Sequence, residues 1–132
     1  VAATAPTNAW TVGNHFNSVP SLVTLVDRWN GKAWKVQRSP GPGGSGNFAV
    51  LSGVAATSAT NAWTVGQTYN GSVHQTVVEH WNGKAWKVQR SPNPSTTVNI
   101  LNGVAATSTN GWAVGYYQNG STRLTLIEHS HS

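Results

Sequence analysis

Apolar positions in this chain come in short runs broken by Gly, Asn and Pro, and no 3.6-residue period persists over ten residues, so no helix is predicted. Leu22 to Trp29 (LVTLVDRW) is the most strand-like run. Apolar residues fall on both of its alternating faces, the pattern of a strand covered on both sides. Three shorter segments surround it. Val1-Ala2-Ala3-Thr4 is small and β-compatible, Trp10-Thr11-Val12 follows the Pro6-Thr7-Asn8 turn and stops at Gly13, and Ala33 to Gln37 returns after Asn30-Gly31. Asn-Gly is the strongest hairpin signal in the chain, expected to form a tight turn through positive φ values. Asn14 to Ser21, with Pro20 as a breaker, reads as a loop.

The same pattern then repeats. VAAT recurs at Val54, NAWTVG at Asn61 and WNGKAWKVQRSP at Trp81, and a third copy runs through VAATS at Val104, GWAVG at Gly111 and TLIEHS at Thr125. Length differences fall in the proposed loops, as in a genuine structural repeat. The chain divides into modules 1–53, 54–103 and 104–132, with four, four and three strands, and forms one continuous segment, 1–132. Arg38 to Gly46 is the crossover between modules, and Phe48-Ala49-Val50-Leu51 resumes strand character before Val54. Four-stranded modules of about 50 residues predict an all-β fold of β-propeller blades. Ala-Ala-Thr suits the crowded innermost strand. Leu22 to Val26, Thr76 to Val78 and Leu124 to Ile127 suit middle strands held between neighbouring blades.

Those motifs resemble the repeats of a family of secreted bacterial β-propellers, abundant in actinobacteria, of the type GVAATS-x-NAWAVG, TLIEHWNG-x-xW and SPNP. They are also distantly similar to Asp-box and photosystem-assembly-factor propellers, in which an Asp-Gly-Gly-x-x-Trp hairpin takes the place of Trp81-Asn82-Gly83-Lys84-Ala85-Trp86. The resemblance implies the propeller fold and a secreted, extracellular setting. It does not imply one function, because such propellers include lectins and scaffolds.

Composition narrows the chemistry. Charged residues are only 8% of the 132, against about 25% in an average globular protein. Together with seven Trp, this argues for packed or sticky surfaces rather than disorder. The net charge of +5 reflects a shortage of acids more than a concentrated basic patch. There is no Cys, so disulfides and thiolate metal sites are excluded, and stability must come from packing or association. No apolar run approaches the roughly 18 residues of a transmembrane helix, and no membrane partner is expected. Beginning at Val1 inside a module, the chain reads as a processed product, a tag-cleaved product or an excised fragment.

Candidate sites are few. The hairpins at Trp29, Asn30 and Trp34 and at Trp81, Asn82 and Trp86 have two readings. Indole faces beside Asn form a platform for a pyranose, or the Trp side chains pack between blades with Asn-Gly serving only the turn; recurrence at one module position favours packing. Trp10, Trp63 and Trp112 are expected in the core. Asp27, Glu79 and Glu128 share one module position, which does not supply the two differentiated acids of a glycosidase. Each is expected to accept hydrogen bonds from a neighbouring turn or to pair with a base, and no catalytic set or cofactor is expected. His129 and His131 share a strand face but make a weak metal site. Lys32, Lys35, Arg38, Lys84, Lys87 and Arg90 line the last strands, where Lys guards an edge against pairing; nucleic acid is the less favoured explanation.

A propeller closes with about four to eight blades, so three modules leave two open faces. A homo-oligomer is expected, with a dimer of six blades as first choice. The sequence therefore predicts a non-enzymatic module that binds carbohydrate multivalently in the manner of a lectin. The alternative is a self-assembling propeller fragment or engineered repeat that has no ligand and closes its ring with further copies or a partner chain.

Overall fold

The computed structural model describes residues 1–18, 21–41 and 48–131. The expected breaker at Pro20 and the crossover from Pro42 to Gly46 lie outside them. The described chain is all β, in three antiparallel sheets. Sheet 1 holds β1 (Ala2–Ala5), β2 (Asn8–Phe16), β3 (Leu22–Trp29) and β4 (Trp34–Gln37) in that order. Sheet 2 repeats the order with β5 (Phe48–Ser58), β6 (Asn61–Tyr69), β7 (His74–Trp81) and β8 (Trp86–Gln89). Sheet 3 has three strands, β9 (Asn99–Ala106), β10 (Asn110–Asn119) and β11 (Thr122–His131). β5 touches both β1 and β9, so the sheets meet at their first strands like blades.

The repeat in the letters and the repeat in the structure are out of phase. Val54 and Val104, where the modules were expected to begin, lie inside β5 and β9. Phe48 to Leu51 pair with Tyr69 to Gly66, so the innermost strand starts several residues upstream of the repeated VAAT. The segment expected to be a loop at Asn14 also continues β2 as far as Phe16, which pairs with Leu22.

The Asn-Gly hairpins form by a different device from the one expected. Only the glycines take positive φ, 91° at Gly31 and 90° at Gly83, and no described non-glycine residue does. Trp29 pairs with Trp34 and Trp81 with Trp86, so four residues form each loop and Ala33 belongs to the loop rather than the strand. Asn30 Oδ1 accepts from the Lys32 and Ala33 N–H groups at 3.0 Å, and Asn82 Oδ1 does the same for Lys84 and Ala85 at 3.0 Å. The side chain thus braces a turn that the backbone also closes, with the Asn30 N–H donating to the Ala33 carbonyl and the Asn82 N–H to the Ala85 carbonyl at 3.3 Å. Asn70 repeats this in the β6–β7 loop.

The core lies between the sheets. Trp10 and Val26 of sheet 1 pack on Leu51, Ala62, Val77, Trp81 and Trp86 of sheet 2. Trp63, Val65 and Val78, on the opposite face of sheet 2, pack on Leu101, Ala113 and Leu126 of sheet 3. Both layers present the same positions from the preceding sheet, Trp10 and Val26 in one and Trp63 and Val78 in the other, because strand residues of opposite parity face opposite neighbours.

One glycine position separates packing from backbone shape. A Cβ on Gly66 would stand 1.9 Å from the Val50 carbonyl oxygen, and one on Gly115 would stand 1.9 Å from that of Ile100. Gly13, the same position in sheet 1, has nothing within 4 Å. Gly66→Ala and Gly115→Ala are therefore expected to cost about 1–3 kcal/mol or more from overpacking, with Gly13→Ala nearly neutral. Urea unfolding of the three variants checks this; equal losses would mean that the glycine serves strand geometry instead.

Candidate binding surfaces

The two Trp hairpins have the same local structure and different surroundings. Trp81 and Trp86 are 6% and 4% exposed, with the Trp10 ring 5.2 Å from each. The Arg28 guanidinium lies 4.9 Å above Trp10 and 5.7 Å from Trp81. Trp81 Nε1 donates to the Ala59 carbonyl at 3.1 Å. At Trp81, Asn82 and Trp86 the structure matches the packing reading: sheet 1 lies against the indoles, and Asn82 Oδ1 is engaged in its own turn. A groove of ≈ 550 Å³ remains between Gln37, Arg38 and Pro40 of sheet 1 and the hairpin, but there the two indoles are walls of packed core.

At the other hairpin Trp29 is half-buried, its Nε1 donating to the Pro6 carbonyl at 3.0 Å, and Trp34 is 49% exposed. Asn30 is exposed but its oxygen closes the turn. No described sheet lies against this face.

Trp112 is 39% exposed, which corrects its expected place in the core. Its counterparts Trp10 and Trp63 are buried by the following sheet, and sheet 3 has no described successor. The three indoles nevertheless share a scaffold absent from the sequence-based expectations. Arg28, His80 and His129 each lie on or against the Trp of their own sheet. Each also bonds the Asn at the start of the second strand: Arg28 to Asn8 at 3.0 Å, His80 to Asn61 at 2.7 Å and His129 to Asn110 at 3.0 Å. The recurring Asn-x-Trp and the residue after each acid were visible signals. Burial lowers the pKa of His80. His129 and His131 do share a face, 4.3 Å apart, but among the described residues no group of three potential ligands could hold a metal.

The three equivalent acids divide in the same way. Glu79 is fully buried and accepts from the Ser39 hydroxyl at 2.8 and 3.0 Å and the Gly41 N–H at 3.1 Å. Ser39 in turn pairs with Thr24 at 2.9 Å. Glu128 accepts from Ser91 at 2.6 Å, and Ser91 pairs with Thr76. Each Ser thus latches its own sheet to the acid of the next, fulfilling for Glu79 and Glu128 the expectation that these acids serve neighbouring turns. Burial pushes both carboxyls up, against the lowering effect of the serine bonds. Glu128 Oε1 is buried without a described partner. The six basic residues are exposed along or beside β4 and β8, at the sheet edges.

A carboxyl whose folded pKa is raised binds more protons folded than unfolded. Its contribution is greatest below the unfolded pKa and is lost as pH rises through the folded one. Glu79→Gln, with no charge to desolvate, should therefore gain on the parent chain as pH rises from about 4 to about 7. Glu79→Ala leaves the Gly41 N–H without its acceptor and Ser39 with Thr24 alone, and should lose about 1–3 kcal/mol. Urea unfolding across that range tests both; a Gln variant that loses ground as pH rises would contradict the account. No protein-family model matches the chain, and no curated protein matches it.

Proposed function

We propose that this chain is a non-enzymatic, self-associating β-propeller segment that completes its ring with a further copy. The observation carrying this reading is the unequal burial of one repeated side chain. Trp10 and Trp63 are wholly buried between sheets, whereas Trp112, Val114 and Ile127 on sheet 3 are 39%, 48% and 68% exposed. Trp34 stands open on sheet 1 as well. Apolar faces of this kind mark interaction surfaces, and rotational association covers them without leaving new ones. A dimer, which would assemble six blades, is the first choice. A secreted, extracellular setting rests on the repeat resemblance alone, and no described helix is long and apolar enough to cross a membrane.

Carbohydrate binding is the second reading, and exposed Trp34 beside Trp29 is the observation that favours it, the ring centroids being 5.7 Å apart. A copy docked on sheet 1 would cover the same indoles, so association and sugar binding compete for this face.

Sedimentation velocity at micromolar concentration should show an oligomer, and a well-folded monomer would remove the association reading. Trp112→Ala should dissociate the assembly while leaving the monomer folded, whereas Trp10→Ala should destabilise each chain by about 3–5 kcal/mol. For the carbohydrate reading, a glycan array at millimolar sugar should give binding that Trp34→Ala abolishes.

A further inference from the structure

Resting on the association reading above, the geometry points to a head-to-tail contact. In it, the Trp112 face of sheet 3 in one copy docks on the Trp29–Trp34 face of sheet 1 in the next. The two open faces are unlike, and each is the counterpart of a face already paired inside the chain. Trp10, Val12 and Val26 of sheet 1 meet Leu51, Ala62, Val77, Trp81 and Trp86 of sheet 2. The first group corresponds by position to Trp112, Val114 and Ile127, and the second, apart from Leu51, which has no counterpart in β1, to Ala9, Leu25, Trp29 and Trp34. The contact between sheets 2 and 3 uses the first type again, through Trp63, Val65 and Val78. One mode of packing therefore occurs twice within the chain, and its two halves are left over at the ends.

The leftover halves are already shaped for that mode. His129 lies stacked on Trp112 with the rings 17° from parallel and is fixed by Asn110, as His80 is fixed over buried Trp63 by Asn61. On sheet 1, the Trp29 Nε1 bond to Pro6 repeats the Trp81 Nε1 bond to Ala59, so the receiving indole is held as Trp81 is. Face-to-face pairing of two Trp112 surfaces has no precedent within the chain.

Two substitutions at exposed positions separate the modes. Val114→Arg blocks only the sheet 3 face, and Trp34→Glu blocks only the sheet 1 face. In a head-to-tail assembly each variant alone is a monomer, because every contact needs both faces. Mixed, they form a one-to-one heterodimer through the single remaining good pair, weaker than the parent ring because one contact replaces two. Sedimentation of each variant and of the mixture reads this directly, and near-ultraviolet circular dichroism confirms that Trp10 and Trp63 stay packed. Should Val114→Arg disturb folding, Ile127→Arg blocks the same face. A parent chain that associates while Trp34→Glu alone remains oligomeric, or while the mixture yields no heterodimer, overturns the head-to-tail contact but leaves the association reading standing. A monomeric parent chain overturns both.

Discussion

The core depends on covering the second-strand indoles of sheets 1 and 2, Trp10 and Trp63, with the sheet that follows. A sheet gains stability by taking its apolar face out of water, and these sheets are apolar on both faces. Trp10 is enclosed by Trp81 and Trp86 from the next sheet and capped by Arg28 from its own. Trp63 meets a lighter surface of Leu101, Ala113 and Leu126, and Gly111 lets its ring come close: a Cβ there would lie 2.8 Å from it. The two contacts have different residues and the same logic.

Apolar packing alone would let one sheet slide over the next, and the buried acids oppose this. A serine at the end of one sheet must meet a carboxyl in the middle of the next, within a hydrogen-bond length, or two polar groups are left unpaired in a dry layer. The burial that raises the carboxyl pKa is a cost in stability, set against a defined register between sheets. Glu79, with three donor contacts, meets that demand more fully than Glu128, whose second oxygen has no described donor.

Much of the fold was legible because the repeat was written in letters. Near-identity of the copies of NAWTVG and WNGKAWKVQRSP marks most of the strands in the sequence itself. The upstream halves of β5 and β9 were harder to place, since FAVLSG and VNILNG share little beyond their alternation and the conserved VAAT drew the boundary inward. The positive φ expected of Asn-Gly falls on Gly31 and Gly83 alone, while Asn30 and Asn82 serve the turn through their side chains, a division that composition does not show. The site was least legible. Trp34 and Trp86 sit in identical hexapeptides, and whether an indole is open or buried there is decided by the sheet behind it, which local sequence does not encode.

That last point extends to every repeated position. Gly13 is open where Gly66 and Gly115 are tightly opposed, and Trp112 is open where Trp10 and Trp63 are enclosed. In a repeat array, residue type is set by the repeat and environment by place in the array. Internal copies satisfy each other; terminal copies keep the same side chains without their partners. The outer described faces of sheets 1 and 3 keep Trp29, Trp34, Trp112 and Ile127, apolar residues at positions that an internal sheet buries.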